Sequence, residues 1–289
     1  MLGRTVLCGV DHSRGSCAAA RLAAALAERL GLRLVLLHSA PAAVTAHAEA
    51  LPYAVASAGA TGARTLQDVV EAIDDRSAGS VVLRGAAGPR LVAAAAAVDA
   101  AFVVVGSRAL GPLTGAVLGS VSAHVVREAR CPVVVVPPAA AGDADDLEPG
   151  AGVLCGIEAR GDAACAAVAA ELASGLAMRL TLAHVLKRSA DADGAVPRDF
   201  GAHLMHTERR ALAVLHGVLD QLERMPAAEV RLRRGNAGDQ LAALAHEDRT
   251  ALVVVGSRRR GPVRAALLGS TSTQLIRDSD VPVVVCPRR

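Results

Sequence analysis

Aromatic side chains are nearly missing from this chain. Only Tyr53, Phe102 and Phe200 occur in 289 residues, which excludes base-stacking platforms and aromatic ligand cages. Lysine is reduced to Lys187, and no GxxxxGK[ST] segment occurs. A Walker-type phosphate loop is therefore excluded. None of the six cysteines (Cys8, Cys17, Cys131, Cys155, Cys165, Cys286) forms a CxxC pair, and no His follows at zinc-finger spacing. Their apolar or Ala-rich surroundings read as those of small buried hydrophobes, not of redox or metal groups. Excess charge of one sign is also missing. There are 31 basic and 28 acidic residues, a formal net charge of +3. Neither nucleic acid nor an acidic membrane surface is attracted by such a balance.

Mean hydropathy is +0.38, yet a long apolar run is absent. The longest uncharged stretch, 109–126, contains Gly111, Pro112, Gly115, Gly119, Ser120, Ser122 and His124. A membrane span needs about 20 predominantly apolar residues. The N-terminus lacks the apolar core of a signal peptide, so a cytoplasmic location is expected. A 52% hydrophobic fraction and 20% charged residues describe a chain that can bury a core, not a disordered one.

What the chain does have is a repeat of itself. VVVGSR occurs at 103–108 and at 253–258. VLGSVS at 117–122 is answered by LLGSTS at 267–272, and CPVVVVP at 131–137 by VPVVVCP at 281–287. Gly106 and Gly256 mark the common offset of 150 positions. At the front, VLCGVD at 6–11 matches VLCGIE at 153–158. Between the halves, 137–152 holds Pro, Gly, Asp143, Asp145, Asp146 and Glu148 without an apolar period, which reads as a linker. Domains are expected over 1–138 and 151–289, with the linker at 139–150.

Strand and helix signals alternate within each half. Strands are expected at 6–10, 34–37, 81–83, 102–105 and 133–136, and at their counterparts in the second half. Leu22, Leu26 and Leu30 give one helical stripe, stopped by Gly31. The second half repeats it with Val168, Leu172 and Leu176. Further helices are expected at 63–73, 89–98 and from 119–120 to before 131, and at 208–222 and 239–246. Continuous apolar strands between helices specify an α/β, doubly wound parallel sheet with its site at the strand C-termini.

Two stretches fall at such termini. Asp11, His12 and Ser13 follow the first strand. The segment 106–122 follows the fourth and enters the last helix. Gly106 permits a sharp turn, and Gly119 permits close approach of backbone N–H groups. Ser120 and Ser122 stand at a helix start, where free N–H groups and the helix dipole favour an anion. Together they could hold a polyphosphate. The same residues also suit ordinary turn and cap chemistry. In the second copy, Arg258, Arg259, Arg260 and Arg264 either clamp phosphates or form a solvated basic loop. His203, His206 and His216 lie in one helical region without an acid or Cys to complete a ligand set, so no metal site is expected. No Ser–His–Asp arrangement and no HxGH motif is present, so no catalytic residue is assigned.

The G-x2-G-x9-G-[ST] loop after a VVVG strand, the front V-D-x-S and the closing CPVVVV resemble the universal stress protein family, twice over. That resemblance implies two Rossmann-like domains, each a five-stranded parallel sheet of order 3-2-1-4-5. It implies an adenine nucleotide, ATP with or without Mg, as ligand and a stress-response regulatory role. Asp11 would meet the adenine end; Gly106, Gly119, Ser120, Val121 and Ser122 would hold ribose and phosphates. Arg108, Ala109, Gly256, Arg258, Arg259, Gly269, Ser270 and Ser272 complete the candidate set. The loop's second glycine is replaced by Ala109 and by Arg259, a strain of order 1 kcal/mol where that position needs φ > 0. Glu158 replaces the front Asp in the second half and is followed by Ala159 and Arg160. A scaffold that binds no nucleotide and a slow ATPase are the alternatives. The short apolar strands Val133–Val136 and Val283–Cys286 are expected to cover each other in an intramolecular pseudo-dimer. A homodimer would then use another surface.

Overall fold

The computed structural model describes residues 3–40, 51–73, 78–109, 116–137, 147–148, 150–158, 162–187, 200–222, 228–257 and 269–287. The chain divides into two compact units, Met1–Leu147 and Glu148–Arg289. The first contains β1 (Thr5–Gly9), α1 (Arg14–Leu30), β2 (Arg33–Ala40), α2 (Leu51–Ile73), β3 (Gly79–Arg84) and α3 (Ala87–Ala97). It continues with β4 (Ala100–Gly106), β5 (Arg108–Ala109), β6 (Ala116–Val117), α4 (Ser120–Glu128) and β7 (Val133–Val136). The second contains β8 (Gly152–Gly156), α5 (Ala163–Gly175), β9 (Arg179–Leu186), α6 (Phe200–Leu219), β10 (Glu229–Arg234), α7 (Ala237–Glu247), β11 (Thr250–Gly256), α8 (Ser270–Asp278) and β12 (Val283–Cys286).

In the first unit the parallel pairs run β3, β2, β1, β4, β7. In the second they run β10, β9, β8, β11, β12. Each is the expected order 3-2-1-4-5. Helices α1 and α2 pack together against the sheet, and α3 packs with α4. That covering explains the apolar strands. Val6, Leu7 and Cys8 on β1 and residues 101–104 on β4 are buried on both faces. Burial of each such Val or Leu contributes roughly 1.5–3 kcal/mol.

Helix α1 shows how local sequence sets the ends. Ser13 caps its start by accepting the Ser16 N–H at 3.2 Å. Gly31 ends it in the left-handed region, φ 63°. Leu22 and Leu26 face inward as the stripe requires. At the matching place after α5, Ala177 takes φ 55° without glycine's freedom.

Helices α2 and α6 begin earlier than the sequence pattern shows, at Leu51 and Phe200. The first turns of α2 are rich in Ala and Gly, so no leucine stripe marks them. One of those glycines sets the packing distance: a Cβ on Gly62 would lie 2.9 Å from His38 Cδ2. The loop expected over 106–122 also carries a small antiparallel pair, with Arg108 opposite Val117 and Ala109 opposite Ala116. Inside the expected linker, Leu147 is fully buried, and its carbonyl accepts a hydrogen bond from Arg29 of α1.

Candidate functional site

The C-terminal ends of β1 and β4 and the start of α4 enclose a cleft of about 240 Å³ in the first unit. Asp11, Gly106, Gly119, Val121 and Ser122 are among the residues that line it. These five of the residues singled out from sequence are thus brought to one hollow, and Ser120 is not among its walls. Asp11 is fixed by its own loop: its N–H donates to Ser16 Oγ at 2.8 Å, and its Oδ1 accepts the Ser13 N–H at 2.9 Å. The carboxylate is therefore held at the rim while remaining exposed.

Gly106 acts differently from the sequence expectation. Its backbone is not left-handed. A Cβ there would lie 2.5 Å from the Gly15 carbonyl oxygen, so the glycine lets β4 end directly against the first turn of α1. Gly119 also has an ordinary backbone, φ −59° and ψ 159°. As a cap it supplies no side-chain acceptor, so the first-turn N–H groups of α4 are left for another acceptor. That fits an anion. Ala109 lies on the extended strand β5 and is not among the left-handed residues. The strain expected of a residue replacing glycine there does not arise.

The serines divide. Ser120 opens α4 and is exposed. Ser122 is buried, and its Oγ donates to the Gly106 carbonyl at 2.8 Å. Its hydroxyl proton ties α4 to β4, which leaves only its oxygen to face a ligand. Ser272 repeats this tie to the Gly256 carbonyl at 3.2 Å, while Ser270 opens α8 exposed. Arg258 and Arg259 lie outside the described residues, as does Arg264. The side chain of Arg108 is likewise outside the description.

The second unit's cleft measures about 80 Å³. Glu158, Asp162, Lys187, Gly256, Gly269 and Ser272 are among its walls. Where Ser16 accepts the Asp11 N–H, the buried carboxylate of Asp162 accepts the Glu158 N–H at 2.7 Å. A formal negative charge thus replaces a neutral hydroxyl at the matching place.

The sequence reading passed over histidines near both clefts, of which His38 lines the first. His38 Nδ1–H donates to the Val10 carbonyl at 2.9 Å, and His184 Nδ1–H to the Ile157 carbonyl at 2.7 Å. A carbonyl only accepts, which fixes that ring proton. Their recurrence at the end of the second strand of each half was the available signal. His12 is peculiar to the first half. Thr65 gives its proton to the Thr61 carbonyl at 2.9 Å, so His12 Nε2–H donates to Thr65 Oγ1 at 2.7 Å. The rings of His12 and His38 meet edge to face with centroids 6.2 Å apart. Among the described residues, no group of three or more His, Cys, Asp or Glu side chains is arranged to hold a metal ion. Among them, too, no helix is long and apolar enough to cross a membrane.

The family model for the universal stress protein family matches residues 3–137 and again 153–287. Universal stress protein Rv2623 of Mycobacterium tuberculosis strain H37Rv is 31% identical over 296 residues, covering 97% of this chain and 95% of that protein. Universal stress protein Mb2028c of Mycobacterium bovis is 34% identical over 191 residues, covering 65% of this chain and 62% of that protein. Among solved structures, a universal stress protein from Archaeoglobus fulgidus superposes with a TM-score of 0.69 at 20% identity, covering 100% of both chains. The doubled match and the doubled 3-2-1-4-5 sheet agree, and the chain belongs to the universal stress protein family as a tandem two-domain member.

Proposed function

We propose that the first unit binds an adenine nucleotide, ATP, and that the chain acts as a nucleotide-dependent regulatory module of a stress response. The observation that carries this reading is the uncapped start of α4 on the same 240 Å³ cleft that Asp11 lines. Free N–H groups at a helix start suit phosphates, and an exposed carboxylate suits the donor groups of a base. Gly106, Gly119 and Val121 also line this cleft. Arg108 is positioned in sequence to add a positive charge to the phosphate end. Hydrolysis is not part of the proposal. Release of ATP from the heat-denatured protein, identified by mass spectrometry, tests it, followed by titration of the nucleotide-free chain. One ATP per chain supports the reading. No binding favours the interaction scaffold.

The pairing of Val133–Val136 with Val283–Cys286 within one chain belongs to the same proposal. Protection of the Val133–Val136 amides from hydrogen exchange, unchanged on dilution, supports it. Protection that is lost on dilution assigns the pairing to separate chains.

A further inference from the structure

Three thiols of the second unit converge beside its cleft. Cys155 is the penultimate residue of β8, Cys165 lies in the first turn of α5, and Cys286 ends β12. Cys155 and Cys165 Sγ atoms lie 3.9 Å apart, from positions ten apart in the chain. Cys165 also shares a hydrogen bond with the Cys286 thiol. We propose that Cys155 and Cys165 are an oxidisable dithiol that a peroxide converts to a disulfide, linking the end of β8 to the first turn of α5 beside the second cleft.

The repeat shows that the fold does not need thiols at these places. The matching positions of the first unit are Cys8, Ala19 and Val136, all buried. Alanine and valine fill two of the three sites there, so packing alone does not explain the cluster. Metal binding does not explain it either, since no such ligand group is present among the described residues. Two neighbouring thiols are the reduced half of a disulfide couple, and a shift of about 2 Å brings 3.9 Å to bonding distance.

The electrons balance between the two thiols and one peroxide. One sulfur loses its proton and attacks a peroxide oxygen. The O–O bond breaks, an alcohol or water leaves, and a sulfenic acid remains. The second thiol then attacks that sulfur. The S–O bond breaks, water leaves and the S–S bond forms. Both thiols are oxidised, and the peroxide is reduced by two electrons.

The site's burial sets its rate. Cys155 is fully buried and Cys165 is 3% exposed. The hydrogen bond shared with Cys165, and then burial, hold the Cys155 thiol well above the ordinary range. Reaction therefore waits on exposure of a thiol, and it is slower than oxidation of the half-buried Cys17. The consequence falls on the cleft. Gly156, Glu158 and Asp162 lie between the two thiols in sequence and line it, so the staple restrains these wall residues.

The test needs no nucleotide, so its outcome is separate from that of the ATP reading. The full chain is treated with hydrogen peroxide, and the remaining thiols are alkylated after denaturation. Trypsin cuts after Arg160, between the two cysteines. The expected product is a linked Cys155–Cys165 peptide pair, two hydrogens lighter than the sum, and released by dithiothreitol. Cys286→Val, which places the first unit's residue at that site, keeps the link. Cys165→Ala, also borrowed from the first unit, abolishes it. Three results overturn the assignment: both thiols remain alkylatable after Cys17 is oxidised, the link joins separate chains, or Cys165→Ala yields a Cys155–Cys286 link.

Discussion

The first cleft is the larger of the two, about 240 against 80 Å³, although the strands around them follow one plan. Some contacts are duplicated: His38 to Val10 and His184 to Ile157, Ser122 to Gly106 and Ser272 to Gly256. Others are not. Ser16 is answered by the buried Asp162, and Asp11 by Glu158. Contacts kept in both halves hold helices and strands together. The positions that differ, Asp11 and Ser16 against Glu158 and Asp162, line the clefts. A side-chain contact that recurs in both halves is thus a sign of structural work. By this test Ser122 is a tie before it is a ligand.

The largest expected effect concerns a feature the halves share. Cys8 and Cys155 are fully buried, and burial raises the first while the Cys165 hydrogen bond and burial raise the second. Burial also pushes the Cys131 thiol up to about 11. An unfolded thiol releases its proton near 9.0, while the folded state retains it. Stability is therefore full below pH 9 and falls as pH rises above it, by about 1.4 kcal/mol per fully buried thiol for each pH unit. With one Lys and one Tyr in the chain, few other groups titrate there. Thermal melts from pH 8 to 10.5 should show one transition moving steadily down. A flat profile would remove the thiols from the account, and a split transition would show that the halves are unequally stable.

Next comes the division between the clefts. Gly119→Val places a branched side chain at the start of α4 and is expected to lower ATP affinity at least tenfold, about 1.4 kcal/mol. Gly269→Val is expected to change it less than twofold. Isothermal titration of each full-length variant, with folding checked by circular dichroism, measures both. Equal losses would break the asymmetry.

The ties predict a smaller loss. Ser122→Ala leaves the Gly106 carbonyl without its side-chain donor and should cost about 1–3 kcal/mol of stability. Ser272→Ala should cost less, because its bond is longer, 3.2 against 2.8 Å. Urea unfolding of the two variants sharpens the comparison, and a greater loss at Ser272 reverses it. The smallest effect is expected at the helix ends. Ala177→Gly should stabilise by about 1 kcal/mol, and Gly31→Ala should destabilise by a similar amount, since both sites are left-handed. Opposite signs in the same assay are the expected result; a destabilising Ala177→Gly would contradict it.

Much of the fold was legible in particular residues. The Leu22–Leu26 stripe, Gly31 and the valine runs fixed elements to within a few positions, because helix and strand periods are local. The early turns of α2 were hidden, since Ala and Gly carry no stripe. The candidate site was legible at Asp11, Gly106 and Gly119 through the repeat and the family resemblance. His12, Thr65 and His38 were not, because their meeting joins a loop, a helix and a strand far apart in the chain.

By itself the sequence determined the duplication, the α/β alternation and the family, since each rests on residue order and local period. Only the tertiary structure decided what the residues do there. It showed that Gly106 serves a close backbone approach and not a turn, that Ala109 bears no strain, and that Ser122 bonds inward. It also brought Cys155, Cys165 and Cys286 together from two strands and a helix. The physical reason is the same throughout. Distances between side chains on different elements are set by crossovers and packing, and no local pattern in the chain encodes them.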